Sequence, residues 1–285
     1  MKQSVKYLAI YRHRDKYSIT AMCKFFAVSR SGYYDFCKRL DKSDKDEPLA
    51  QMIQECQERA GKTYGYRRVK IWLYRNKQLL VNHKAILRIM NKYGLLAEIR
   101  RRKKYKRMGE QIHKYENLLN REFHANKPNQ KWVTDISYIH TGQGILYLSM
   151  IRDLFDESII AYKVGTEQTV NLVINTVKAA IQKEGVTEEL QLHSDQGFQY
   201  TSTGYFDLTK EYGITPSMSR KGNCYDNAMA ENFFGILKSE CIYRHKPKTL
   251  DEARQLIADY IYFYNHERIQ LKTKLTPLEK RCQFA

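Results

Sequence analysis

The sequence predicts a multidomain protein, with helical modules first and then an α/β domain built on a mixed five-stranded sheet. Three observations carry that reading. At 285 residues, 42% of them hydrophobic and 12% aromatic, the chain can fill two cores, or three small ones. Its hydrophobic period changes from helical to alternating after Pro128. Its charge divides at the same place: residues 1–127 hold 31 Lys and Arg against 12 Asp and Glu, and residues 128–285 hold 18 against 19. The formal charge of +18 therefore belongs to the first half, and nucleic acid is the polyanion it implies as a partner.

Residues 1–46 form the first segment. Ser18 is a candidate N-cap, and Ile19, Met22, Cys23 and Phe26 follow at helical spacing. After the short break AVS, RSGYYDFCKRL supplies a second helix, giving a helix-turn-helix pattern over Ser18–Leu40. Residues 47–98 read as a three-helix DNA-binding module. Pro48 suits the first turn of a helix over Leu49–Ala60, and a second helix spans Arg67–Arg75. Asn82 caps a third that runs to Tyr93, where Gly94 stops it. On that third helix Ile86, Ile89 and Met90 face inward, while Lys84, Arg88 and Lys92 face out, toward DNA phosphates. Residues 99–127 form a basic linker. Its run Arg100, Arg101, Arg102, Lys103, Lys104, Tyr105, Lys106 and Arg107 repels itself until it meets phosphates.

The α/β domain is expected over 128–245. KWVTDISYIHTG, ILYLSMIRD and SIIAYKVG read as three consecutive strands, most economically an antiparallel meander. An amphipathic helix over Thr169–Lys183 leads to a short strand, QLHSD. TGYFDLTKEYG is then a helix with a Gly stop, and ITPSMS a fifth strand. A helix over Asn227–Lys238 follows a Gly-containing loop, and a helical tail, 246–285, closes the chain with Leu250–Tyr264. Helices on both faces of a mixed sheet follow from this order.

Some classes are excluded. The six cysteines come no closer than fourteen positions apart, so no CxxC unit is available for zinc or redox chemistry. The longest nearly apolar stretch, Ile145 to Ile151, is far short of a membrane span, and Lys2, Lys6, Arg12 and Arg14 interrupt any signal peptide. A cytoplasmic protein is expected.

Three acids stand out. Asp135 interrupts a strand, although Asp is a poor strand former. Asp195 lies at a strand's C-terminal end, where α/β sites form. Glu231 lies on a helix opposite the buried stripe Met229, Phe233 and Leu237, and Lys238, nearly two turns on, points the same way. Three carboxylates from two strands and a helix suit two Mg²⁺ ions, hard cations that prefer oxygen. Asp153, Asp156 and Asp226 are rival acids, with Asp226 also a candidate N-cap for the Glu231 helix.

The stretches WVTDISYI, HSDQGFQYTS and SMSRKGNCYDNAMAENFFGILKSE, with the tail YNHERIQLKTKLTP, closely resemble the DDE transposases of the insertion sequence three family, relatives of retroviral integrases. The 35 residues between Asp195 and Glu231 match the family's interval, and Lys238 matches its basic residue seven positions after the glutamate. The resemblance covers most of residues 49–285. It implies an RNase H-like integrase core in which Asp135, Asp195 and Glu231 are catalytic and hold two Mg²⁺ ions, with Mn²⁺ substituting. It implies cleavage at the element's ends and strand transfer into double-stranded DNA, usually through a circular intermediate. Pairing two ends calls for at least a dimer. The cysteine pair of the retroviral zinc module is missing, so no zinc is expected. No heptad zipper is visible, so the chain resembles the downstream, catalytic reading frame, with the upstream-frame protein or its frameshift fusion as a partner.

Lys221 and Gly222 lie in the loop before the Glu231 helix, where a basic loop suits DNA contact. His193, Gln196 and Asn232 flank the acids as candidates for orienting ligands, DNA or water, while Trp132 reads as packing. Two other functions remain open: a non-catalytic DNA-binding regulator, and a hydrolytic nuclease that cuts without joining.

Overall fold

The computed structural model describes residues 3–40, 44–98, 115–185, 189–220, 223 and 225–284. The basic run Arg100–Arg107 and the loop residues Lys221 and Gly222 lie outside the described residues.

The first unit has three helices: α1 (Gln3–His13), α2 (Ile19–Phe25) and α3 (Arg30–Leu40). Tyr7, Ile10, Cys23 and Tyr33 form its small core. The sequence pattern gives α2 and α3 but not α1, because α1 buries only Tyr7 and Ile10 and so has almost no apolar stripe. Between α2 and α3, Ala27 adopts a left-handed φ of 50°, and Ser29 Oγ accepts the Gly32 N–H (3.0 Å). This serine hydroxyl satisfies one of the free donors at the start of α3.

The second unit packs α4 (Glu47–Arg59), α5 (Tyr66–Lys77) and α6 (His83–Lys92) around Ile53, Cys56, Val69, Leu73, Ile86, Ile89 and Met90. Asn82 caps α6 by accepting the Lys84 N–H (2.9 Å), and Gly94 ends the run at φ 67°. The core of this unit is completed from far away. Ile269 belongs to it, the Tyr64 hydroxyl accepts the Ile269 N–H (2.9 Å), and Arg68 donates to the Ile269 carbonyl (3.0 Å).

The third unit is a five-stranded sheet ordered β3-β2-β1-β4-β5. The strands are β1 (Lys131–Thr141), β2 (Gly144–Asp153), β3 (Ile159–Gly165), β4 (Gln191–Ser194) and β5 (Thr215–Met218). The first three pair antiparallel, and β4 and β5 add parallel to β1. Parallel neighbours need crossovers, which α7 (Val170–Glu184) and α8 (Thr203–Glu211) provide. Alternation along the strands splits the core in two. Trp132, Ile151 and Leu192 meet α7 and α8 on one face. Val133, Leu148 and Met150 on the other meet α9 (Ala228–Leu237) and α11 (Leu250–His266).

Between α9 and α11 the chain makes a π-helical turn, Lys238–Ile242, and a short α10 (Tyr243–His245). Beyond α11 it runs along the second unit and ends in α12 (Pro277–Cys282), capped by a reciprocal Thr276–Glu279 box. From α12, Arg281 reaches back to Asp153 (3.1 Å), Asp156 (2.6 Å) and Glu184 (2.5 Å). The last twenty residues therefore strap the helical unit to the sheet. Among the described residues no helix is long and apolar enough to cross a membrane.

Candidate active site

Register and alternation bring the first two acids together. Val133 on β1 pairs with His193 on the parallel β4. Two residues further along each chain, Asp135 within β1 stands beside Asp195, just past the end of β4, on neighbouring strands whose axes lie about 5 Å apart. Both are at odd positions of this register, like Val133, and so share the face covered by α9. Asp135 stands opposite Met150, a core residue of that face. Glu231 sits in the first turn of α9.

The electrostatics tie these groups into one site. Burial, then the charge of Asp195, pushes the Asp135 carboxyl well above the usual carboxylate range. Glu231 adds to that push, while the Ile136 N–H and the Lys238 ammonium oppose it. The Asp195 carboxyl is raised by burial although Oδ1 accepts the Gly197 N–H (2.9 Å). Glu231 is raised by burial and then by Asp195. Lys238 is lowered by burial and held up in part by Asp135. These acids come from β1, the end of β4 and α9, and the charge of Asp195 reaches both Asp135 and Glu231.

Among the described residues no three His, Cys, Asp or Glu side chains close into a finished metal nest. The chemistry of the donors fits a divalent ion nonetheless. All three are carboxylates, hard oxygen donors, and their mutual repulsion and desolvation are what a cation among them offsets.

The surroundings sort the remaining candidates. His193 is fully buried, with its nitrogens hydrogen-bonded to Ser217 Oγ (2.8 Å) and Ser219 Oγ (3.2 Å). Burial lowers its pKa to about 4, so it is neutral at pH 7. Gln196 donates to the Ser219 carbonyl (2.9 Å), and Asn232 is exposed. Trp132 is wholly inside the core. Lys84 is exposed on α6. Arg88 is not free on that helix: its guanidinium makes a two-point contact with Asp46 (2.6 and 2.7 Å), and Lys92 bonds the same carboxylate (2.9 Å).

The rival acids are occupied elsewhere. Asp153 and Asp156 are buried and held by Arg281. Asp226 corrects an expectation from sequence. It is not the N-cap of α9; Asn227 is, and it makes no side-chain cap bond. The Asp226 carboxylate instead accepts from Arg220, Arg121 and Asn117.

Two positions escape a reading of sequence alone. Tyr200 is fully buried, and its hydroxyl lies 3.3 Å from Thr134 Oγ1. Burial and the charges of Asp135 and Asp195 raise its phenol far above its usual range, so it stays protonated beside the acids. Arg152, also buried, donates to the Met229 carbonyl in α9 (2.6 Å) and to the Tyr264 hydroxyl (3.0 Å). Only the odd placement of an arginine at the end of an apolar strand signals it.

The chain is similar to known proteins. Residues 125–224 match the integrase core domain family, 231–284 a second integrase core domain family, and 43–103 an HTH-like domain family. InsK of insertion sequence element IS150, from Escherichia coli strain K12, is 40% identical over 271 residues, 95% of each chain. The transposase InsF for insertion sequence IS3A, from the same strain, is 32% identical over 264 residues, 90% of this chain and 91% of that one. A chain of the simian T-cell lymphotropic virus intasome, in complex with a PP2A regulatory subunit, has the same fold with a TM-score of 0.50. It is 15% identical and is matched over 74% of each chain.

Proposed function

The chain belongs to the insertion sequence three family of transposases, and from that premise we propose that it cleaves the ends of its element and joins the freed 3′-hydroxyls to DNA. The observation that carries this reading is the closeness of three carboxylates drawn from two strands and a helix, with Asp195 acting on both Asp135 and Glu231 and Glu231 acting on Asp135. A regulator that only binds DNA gains nothing from that repulsion.

In this reading Asp135, Asp195 and Glu231 hold two Mg²⁺ ions, or Mn²⁺ in their place. When bound, such ions sharpen a water or 3′-hydroxyl nucleophile and stabilise the leaving oxygen of an in-line phosphoryl transfer. The protein's own residues do the rest. Lys238, whose ammonium senses Asp135, stands beside the acids to grip the phosphate being cut. Neutral His193, pinned between two serines, keeps the ends of β4 and β5 in register instead of moving protons. The helical units, with Lys84 exposed on α6 while Arg88 is held by Asp46, and the basic run Arg100–Arg107 with Lys221 track the DNA backbone. Two ends brought together require at least two protomers, and the upstream-frame protein or its frameshift fusion is a further partner. The route runs through a circular intermediate that then integrates, and the reaction belongs to the cytoplasm of the host cell.

The test incubates the protein with a DNA fragment spanning the gene and its flanks, plus Mg²⁺ or Mn²⁺, beside Asp135→Asn and Glu231→Gln. End-specific nicks and joined strands, absent in both variants, are the expected result. Nicks without joining would favour the hydrolytic nuclease, and tight binding without cleavage the regulator.

A further inference from the structure

Glu231 lies in the first turn of α9, so whatever fixes the start of that helix fixes the carboxylate. The usual device is missing. Asn227, the N-cap residue, makes no side-chain cap bond, and its Oδ1 is buried without a hydrogen-bond partner. One residue earlier the chain is bolted down instead. The Asp226 side chain is fully buried, and Oδ2 accepts the Arg220 backbone N–H (3.0 Å), Arg220 Nε (2.9 Å) and Asn117 Nδ2 (2.9 Å). Oδ1 accepts Arg121 Nε (2.8 Å) and Arg220 Nη2 (3.1 Å).

These partners are themselves anchored. The stretch carrying Asn117 and Arg121 is sewn to β5: Ser217 Oγ accepts the Leu118 and Leu119 N–H groups (3.0 and 3.2 Å), and the Met218 N–H donates to the Glu116 carbonyl (3.1 Å). Ser217 also bonds His193, next to the end of β4 from which Asp195 projects. Arg220 directly follows Ser219, whose N–H donates to the Ser194 carbonyl (2.9 Å). The carboxylate thus has one end of the sheet on one side and the start of α9 on the other. A buried acid joined to two arginines and an amide stays ionised, and its pKa is depressed chiefly by Arg220.

We infer that Asp226 is a positioning residue for Glu231: through Arg220, Arg121 and Asn117 it locks the first turn of α9 to the ends of β4 and β5, and so sets where the third carboxylate stands relative to Asp135 and Asp195. The inference rests on the proposed role of Glu231. It assigns to Asp226 no contact with DNA and no chemistry of its own. Displacing a reacting group by about 1 Å costs on the order of 100-fold in rate.

The experiment compares Asp226→Asn, Arg121→Gln and Glu231→Gln with the unaltered full chain. It reads the single-turnover cleavage rate at saturating protein and, separately, the dissociation constant for the same duplex. The expected result is a fall of roughly 10- to 100-fold in rate for Asp226→Asn, with duplex affinity within about twofold. Arg121→Gln, at a partly exposed partner, falls in rate by less, and combining it with Asp226→Asn adds less than the product of the two separate losses. A normal rate in Asp226→Asn while Glu231→Gln is inactive overturns this inference alone. So does an equal loss of affinity and rate, which makes Asp226 a DNA-binding determinant. If Glu231→Gln cuts normally, the role of Glu231 itself fails. Should Asp226→Asn not fold, Arg121→Gln decides: it stays folded, and a rate equal to the unaltered chain's refutes the lock.

Discussion

Glu240→Gln tests how the five-stranded sheet unit and the helical unit are joined. Glu240 sits in the π-helical turn after Lys238, with its carboxylate facing α11 and the strap beyond. It accepts Arg268 Nε (2.8 Å), Arg268 Nη2 (2.7 Å) and the Tyr260 hydroxyl (2.6 Å), and the two charged side chains are 5% and 3% exposed. Arg68, from the helical unit, also feels this carboxylate: burial and Arg268 lower its pKa, and Glu240 raises it. One acid therefore serves two arginines from different parts of the chain. Gln preserves its shape but removes the charge, and a guanidinium cannot escape by losing its proton. Stripping one partner from a buried ion pair costs about 3–5 kcal/mol, against a total stability of roughly 5–15 kcal/mol. Urea unfolding followed by circular dichroism measures that loss.

The pH dependence gives an independent check. Although burial alone would raise the Glu240 carboxyl, its bonds to Arg268 and Tyr260 leave it below its ordinary value. A depressed acid stabilises the fold fully above its unfolded pKa of about 4.3, and that contribution is lost as pH falls through the lower folded value. The gap between the unaltered chain and Glu240→Gln should therefore narrow on acidification from about pH 5 to pH 3. Arg268→Met should cost less, because Glu240 can then take up a proton. A Glu240→Gln loss under about 1 kcal/mol, or a gap that ignores pH, would refute the reasoning.

Other outcomes follow from the same contacts. Asp135→Asn and Glu231→Gln should each slow cleavage about 1000-fold, equivalent to roughly 4 kcal/mol of transition-state stabilisation, and leave duplex binding intact in a filter assay. Asp46→Asn frees Arg88 on α6, while Lys92 keeps its pairing with Asp44 (2.6 Å), so the slope of log affinity against log salt should steepen by about 0.9 for the one phosphate gained. An unchanged slope would mean that α6 does not face DNA. Arg281→Met leaves Asp153 and Asp156 buried without their cation and should cost about 3 kcal/mol in urea unfolding, with no change in duplex affinity.

The sheet and the acid triad are legible in the sequence because both depend on local pattern. Alternation over residues 131–165 marks the strands, and motifs around Asp135, Asp195 and Glu231 are long and contiguous. What sequence hides is pairing across distance. Asp226 looks like an ordinary helix cap until Arg121, from the stretch before β1, is seen on its carboxylate. Arg88 looks like a free phosphate ligand until Asp46 is found against it. α1 has too few buried residues to leave a period, and Ile269 lies in a polar tail whose partner core is about two hundred positions upstream. Each of these depends on which distant side chain supplies the opposite charge or the missing wall, and spacing along the chain does not encode that.

The strap also imposes an order in time. Residues 47–98 leave the ribosome long before Ile269, which fills their core, and before Arg281, which fastens the far end. At about 5–20 residues per second, the helical unit waits on the order of 10–40 s for these last contacts. Until then its helices lack these contacts, and their position relative to the sheet becomes fixed only once residues 266–282 have been made. A nascent chain, or one cut before residue 266, would carry the helical unit and the acids without a set distance between them.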